Sequence, residues 1–352
     1  MKVAIISSAL IGRGGMETAF SGVYSLFSND SKYSINYIFT DGIKQKSFLN
    51  GFNKNDVFYH EHTSILGELL FLIKMLLKNK YDVLIVTSKK TIIFTYFILK
   101  VFRIKEPLVS WLHFSVDEKG MYLNLSKYGD AHFAISKAIK KQISNIGVSD
   151  KRIYYLPNFV NISNDTITKS KEDRFVYVGR IEFEGQKNLK ELIDGLSKIK
   201  GKWSIDIYGD GDDLIKSKLY LKINYPYLSK RFYWKGWSDD PWRDISKATC
   251  LILTSKMEGM PMVLLESISR GLPVLSSNCE TGPQEIVNEG INGYLYKPGC
   301  LDDFRYKLEK LVNTNFSTST VKKSIHKFEA DNYKKRFQSY LENIVKDYHN
   351  LT

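Results

Sequence analysis

Short apolar runs alternate along this chain with longer segments whose apolar positions recur every three or four residues. KVAIISS (2–8), SINYIFT (34–40), YDVLIVTS (81–88), PLVSWLH (107–113) and AHFAIS (131–136) have the length and branched content of strands. METAFSGVYSLFSN (16–29), ILGELLFLIKMLLKNK (65–80), TIIFTYFILKVFRIK (91–105) and KAIKKQISNIG (137–147) have helical spacing, the last stopping at Gly147. Strands that are apolar throughout and separated by helices predict a parallel sheet covered on both faces.

The alternation pauses over the polar stretch 154–174, which contains Pro157 and predicts a linker. It then resumes with strands at FVYVG (175–179), WSIDIYG (203–209), RFYWKG (231–236), TCLILTS (249–255) and PVLSS (273–277). A helix follows 179 and ends near Gly201. Another spans MVLLESISRG (262–271), where a glycine followed by Pro273 is a stop signal. YKKRFQSYLENIVKDY (333–348) predicts a final amphipathic helix. The fold class expected is α/β, two doubly wound Rossmann-like domains facing across a cleft. Their expected boundaries are 1–157 and 158–330, with 331–352 as a C-terminal helix.

Composition narrows the partners. The 352 residues are 43% hydrophobic, enough for two cores, and no uninterrupted apolar run is as long as a membrane span. MKVAIISSAL fits a first strand better than a signal peptide. Three scattered cysteines, Cys250, Cys279 and Cys300, form no disulfide framework or metal pair and predict a reducing, cytoplasmic compartment. The formal net charge is +13; residues 1–157 hold 21 basic and 12 acidic residues, the remainder 30 and 26. The excess is either lysine-rich composition or a face toward an anionic partner. No zinc-finger spacing or RNA-binding aromatic signature points to nucleic acid. Residues 65–80 and 91–105 mix apolar residues with lysines, as a core-facing helix does and as a helix on an anionic inner-membrane surface does.

Ligands bind at the carboxyl ends of strands in such sheets, and three loops there carry unusual residues. GRGG (12–15) follows the first strand and opens a helix, which suits a phosphate but also an ordinary tight turn. A dinucleotide fingerprint would need a third glycine where Glu17 stands, and no Gly-Lys-Ser/Thr follows. In YVGRIEFEGQKNLKELIDGL (177–196), Arg180 and Lys187 lie in the loop before a helix, where two cations suit a diphosphate or are simply solvated. EGMPMVLLE (258–266) places Glu258 in a turn, Pro261 at a helix start and Glu266 on the helix. Each carboxylate could accept hydrogen bonds from a vicinal diol. The plainer readings are a helix-terminus charge for Glu258 and a pair with Arg270 for Glu266. His113 ends a strand on the side where the cleft is expected. GDGDD (209–213) and Asp239–Asp240 fit turns better than a metal site, so no metal is expected.

Together these residues resemble the family-4 retaining glycosyltransferases, which have the GT-B fold. GRGGMET, WLHFSVD, YVGRIEFEGQKNLKELIDGL, WKGWSDDPW, LILTSKMEGMPM and SSNCETGP are most similar to the lipopolysaccharide 1,6-galactosyltransferases of Gram-negative bacteria. The resemblance implies a metal-independent enzyme with no cofactor, using a nucleotide sugar, UDP-galactose, and a lipid-linked or lipopolysaccharide-core acceptor. It implies that Arg180 and Lys187 bind the diphosphate and that Glu266 holds the ribose hydroxyls. Glu258 and the backbone of Gly259, Met260, Pro261, Met262 and Val263 would face the transferred sugar. His113 would reach that sugar from the first half, Gly14 and Gly15 would leave room for phosphate, and the last helix would cross back to the N-terminal half. Met260-Pro261-Met262 departs from the aromatic that many members carry after Glu-Gly, which bears on sugar preference. An O-antigen or capsule transferase with another UDP-sugar is equally compatible with these residues, and a UDP-sugar 2-epimerase has a similar two-domain fold.

Overall fold

The computed structural model describes residues 1–8, 14–43, 46–61, 64–113 and 125–351. The chain divides into two compact units, Met1–Phe159 with Ala330–Thr352, and Val160–Glu329. Gly12 and Arg13 of the GRGG turn, and the FSVD of WLHFSVD, lie outside the described residues.

The first unit contains a seven-stranded parallel sheet: β1 (Lys2–Ser7), β2 (Ser34–Phe39), β3 (Val57–Tyr59), β4 (Val83–Val86), β5 (Leu108–Leu112), β6 (Ala131–Ala134) and β7 (Ile153–Tyr155), in the order β3-β2-β1-β4-β5-β6-β7. Every residue of β4, β5 and β6 is buried, which is why these strands are apolar except for Ser110 and His132, which hydrogen-bond to each other. The crossovers are α1 (Gly15–Phe27), α2 (Ile65–Lys78), α3 (Lys89–Phe102), α4 (Leu125–Tyr128) and α5 (Lys137–Asn145). Ser64, Ser88 and Ser136 each cap a helix by accepting from the backbone N–H three residues on.

The second unit carries six parallel strands: β8 (Asp173–Val178), β9 (Trp203–Tyr208), β10 (Phe232–Gly236), β11 (Cys250–Leu253), β12 (Val274–Ser277) and β13 (Gly293–Tyr296), in the order β10-β9-β8-β11-β12-β13. Its helices are α6 (Leu189–Ser197), α7 (Leu214–Asn224), α8 (Met262–Ser269), α9 (Pro283–Ile286), α10 (Leu301–Asn313) and α11 (Thr318–Lys323). Phe175, Ile205, Ile252, Leu192, Phe304 and Leu308 meet in its core. A Cβ at Gly195 would stand 2.6 Å from the Phe304 ring, so α6 and α10 approach each other over a bare backbone.

The last helix, α12 (Ala330–Leu351), belongs to the first unit. Phe337 packs against Phe27 and Phe133, Lys334 pairs with Asp30 at 2.8 Å, and Tyr33 donates to Glu342 at 2.6 Å.

Two parallel, doubly wound sheets bear out the expected fold class. The stretch 154–174 is not a free linker. β7 ends inside it, β8 begins at Asp173, and between them Val160 N donates to Phe328 O and Thr168 N to Ser246 O. β3, β7, β13, α7, α10 and α11 are elements the hydropathy pattern above does not identify.

Candidate active site

In an open parallel sheet the strand order reverses at one place, and the loops leaving the strands there diverge to leave a ligand site. In the second unit that place lies between β8 and β11. The loop 179–188 leaves β8, and the loop 254–261 leaves β11.

The first loop is held from beneath. Tyr177 donates its hydroxyl to Arg180 O at 2.7 Å, and Ile181 N donates to Asp210 O. A Cβ at Gly209, whose φ is +149, would lie 1.9 Å from Gly179 O, so only glycine lets these turns close. Glu182 sits at the loop's centre. Its carboxylate accepts from Lys187 N at 3.0 Å and lies 3.1 Å from Arg180 Nε. The Arg180 side chain is otherwise more than half exposed.

The two loops are then stitched together. Lys256 N donates to Gln186 O, Gln186 Nε2 to Met257 O, and Thr254 Oγ1 to both Lys187 O and Asn188 O. Asn188, at φ +50, turns the chain into α6 in a conformation that asparagine tolerates better than most residues. The result brings Lys187 Nζ to 2.7 Å from Glu258 Oε1, with 17% and 7% of the two side chains exposed.

A third loop, leaving β12, closes the corner. Thr281 donates its hydroxyl to Glu258 O, and a Cβ at Gly282 (φ +96) would stand 2.7 Å from Pro261 Cδ and 3.0 Å from Gly259 O. Gly259, Met260 and Pro261 are buried under this contact, and Met262 and Val263 open α8.

Glu266 lies further along α8 with a different partner. Trp242 Nε1 donates to its Oε2 at 3.0 Å. Arg270 stacks on the Trp242 ring and donates to Glu266 O, not to its carboxylate. Burial pushes the Glu266 carboxyl above the ordinary glutamate range, against the Trp242 hydrogen bond and the Arg270 charge, which pull it down.

The structure therefore brings together Arg180, Lys187, Glu258 and residues 259–263, and sets Glu266 apart on the same helix. Glu182, Thr281 and Trp242 are site-shaping residues that the sequence reading does not name. Two acids stand between the two cations in RIEFEGQK, Glu182 and Glu184, and spacing alone does not tell them apart. Trp242 sits 24 residues before Glu266, and no local spacing links them.

His113, Gly14 and Gly15 lie in the first unit. Its sheet reverses between β1 and β4, and Gly14 caps the α1 that follows β1. A Cβ at Gly14 would stand 2.9 Å from a Glu17 carboxylate oxygen, so Glu17, where the fingerprint wants glycine, folds back on a bare Cα. His113 is buried against Trp111 and Phe20, and burial pushes its imidazole down to about 3. It is neutral at physiological pH, and its buried Nε2 has no hydrogen-bond partner among the described residues.

The aspartate clusters serve turns. Asp210 accepts from Gly211 N, Asp213 from Phe183 N, Asp239 from Trp237 Nε1, and Asp240 pairs with Arg243. Among the described residues no group of three or more His, Cys, Asp or Glu is placed to hold a metal ion.

This geometry offers cations and a helix N-terminus to an anionic ligand, and carboxylates to hydroxyls. Residues 159–334 match the family described as Glycosyl transferases group 1. The lipopolysaccharide 1,6-galactosyltransferase of Escherichia coli (strain K12) is 34% identical, over 98% of this chain and 99% of its own. The solved apo form of the lipopolysaccharide outer core galactosyltransferase WaaB superposes with a TM-score of 0.85 and 32% identity, over 97% of this chain and 99% of that one. Anabaena Alr3699/HepE, solved in complex with UDP-glucose, has a TM-score of 0.79 at 17% identity over 97% of this chain and 99% of its own, a likeness of fold.

Proposed function

From the premise that the chain belongs to the group 1 glycosyl transferases and is a glycosyltransferase, we propose that it moves galactose from UDP-galactose to a glucose of a lipopolysaccharide core, with retention and without a metal ion. The observation that carries this reading is the Lys187–Glu258 pair at the β8/β11 switch point, 2.7 Å long and largely shielded from water.

The acceptor hydroxyl oxygen bonds to the anomeric carbon on the face the diphosphate leaves. The bond from that carbon to the diphosphate oxygen breaks, with its electron pair on the oxygen. The hydroxyl proton passes to the same phosphate, giving the new glycoside and UDP. Lys187 has three N–H donors, so it can keep Glu258 and still reach a phosphate. Arg180, more exposed, adds a planar fork. Both stabilise charge that grows on the leaving group. Glu258 and the backbone of 259–263 orient the sugar, and Glu266 accepts from the ribose hydroxyls. Roles for His113 at the sugar and for Gly14 and Gly15 at phosphate belong to the same proposal.

The protein is expected to work in the cytoplasm against the inner membrane. Among the described residues no helix is long and apolar enough to cross a membrane. α2 and α3 nevertheless expose Leu66, Leu70, Leu77, Phe97 and Val101 among lysines, which supports peripheral attachment near a lipid-linked acceptor.

The test is nucleotide release from a panel of UDP- and GDP-sugars with EDTA present, alone and with core oligosaccharide. Turnover of UDP-galactose with core acceptor, lost in Glu266→Ala and reduced at least about a hundredfold in Arg180→Ala, is expected. Turnover confined to another sugar or acceptor would overturn the substrate assignment, and near-normal Arg180→Ala would overturn the leaving-group role.

A further inference from the structure

α7 is apolar on two faces, and only one of them is covered. Its inner face is formed by Ser217 and Leu221, both buried, with Tyr220 donating to Asp194. Its outer face carries Ile215 (73% exposed), Leu219 (52%) and Ile223 (74%), and Tyr227 (67%) continues the row in the turn beyond. At the helical 100° per residue the three aliphatics fall within an arc of about 80°. The face turned inward thus holds a serine, while the face turned to water holds the branched aliphatics. A surface helix normally turns its apolar stripe to the core, so the second, exposed stripe of α7 calls for a separate partner.

Charge indicates what. Residues 214–231 contain Lys216, Lys218, Lys222, Lys230 and Arg231 and no acidic residue. Lys216, Lys218 and Lys222 are exposed and flank or interleave the aliphatic row. Lys216 Nζ lies 3.5 Å from Glu184 and over the Phe183 ring, and Lys218 Nζ lies over Trp234, so both side chains run along the surface beside the aliphatic row. An aliphatic row bordered by ammonium groups is complementary to an interface of acyl chains under anionic phosphodiester headgroups. A second copy would have to bring like charge against like charge.

We propose that α7 is a second membrane-docking face, carried by the second unit and selective for anionic lipid. It deepens the peripheral-membrane reading, but rests on residues separate from those of α2 and α3.

The test is flotation of the full chain with vesicles of phosphatidylethanolamine and phosphatidylglycerol, against phosphatidylcholine alone. The variants are Ile215→Ser/Leu219→Ser/Ile223→Ser on α7 and Leu66→Ser/Leu70→Ser/Val101→Ser on the first unit. The α7 variant is expected to lose about tenfold or more of its partitioning onto anionic vesicles. Its melting temperature and UDP release from free donor should match wild type, since all three side chains face water. Wild-type partitioning by the α7 variant would overturn the proposal, whatever the first-unit variant does. Undiminished binding by the first-unit variant would instead overturn the role of α2 and α3. Sedimentation velocity showing a wild-type dimer abolished by the α7 changes would assign the face to a second copy and overturn the lipid assignment.

Discussion

Glu258 and Glu266 are the same residue type, eight positions apart, in opposite electrostatic surroundings. Glu258 is nearly buried and paired to an ammonium at 2.7 Å. Among the described residues no cation pairs with the Glu266 carboxylate; it accepts one indole N–H and is pushed toward its neutral form by burial. The contrast teaches that burial alone does not set a carboxylate's task. The paired one is held in place by its cation, fit to orient. The other has unused acceptor capacity and a protonation state that a ligand can change.

The largest effect is expected at the pair. Lys187→Met leaves Glu258 buried without its cation, which should cost about 3–5 kcal/mol of stability in addition to turnover. Adding Glu258→Gln should return part of that stability and none of the turnover, as measured by denaturant melts and UDP release on the single and double variants. A double variant no more stable than Lys187→Met would mean that the pair is not coupled.

Gly282→Ala strikes the support beneath Glu258. A methyl there meets Pro261 and Gly259 at a φ of +96, so about 1–3 kcal/mol of stability and a raised donor KM are expected. An unchanged KM would show that residues 259–261 do not touch the donor.

Glu266→Gln should be milder in stability and specific in binding. Donor affinity should fall about tenfold or more, while the affinity of a 2′,3′-dideoxyribose analogue should not change. Equal losses for both would remove the ribose assignment.

The smallest effect concerns protons. Because the folded Glu266 carboxyl titrates above the ordinary 4.5, its neutral form stabilises the fold most at low pH. That contribution declines as pH rises from the unfolded value through the folded one. Donor binding runs the other way, strengthening over the same window as the acceptor ionises. Trp242→Phe removes the hydrogen bond that favours the ionised form and should move the binding midpoint to higher pH, as titration calorimetry across acidic buffers would show. A midpoint that stays fixed would separate Trp242 from Glu266.

Much of the fold is legible because fully buried parallel strands need continuous apolar runs, as in VLIV of β4 and CLIL of β11. β3 (VFY) and β7 (IYY) are three residues long, too short to show a period. α7 is hidden because aliphatics on two faces blur its periodicity. α10 has no such excuse: Phe304, Leu308 and Leu311 stand at helical spacing. At the site, strand-end loops were visible from chemistry alone, but which cation meets which carboxylate depends on contacts between residues 71 apart, Lys187 and Glu258. The roles are what the family resemblance implies, and the pairing is visible only in three dimensions.

The placement of α12 has a consequence for how the protein is made. Phe337 and Tyr333 are wholly buried in the aromatic cluster of the first unit, among Phe27, Phe133 and Phe159. The segment that completes the first unit is thus translated only after the whole of the second unit. The second unit is contiguous and can fold while its predecessor still waits with a greasy slot open, the kind of exposed surface that chaperones bind. A stop placed just before Ala330 would therefore leave the second unit whole and the first unit without the helix that fills its aromatic cluster.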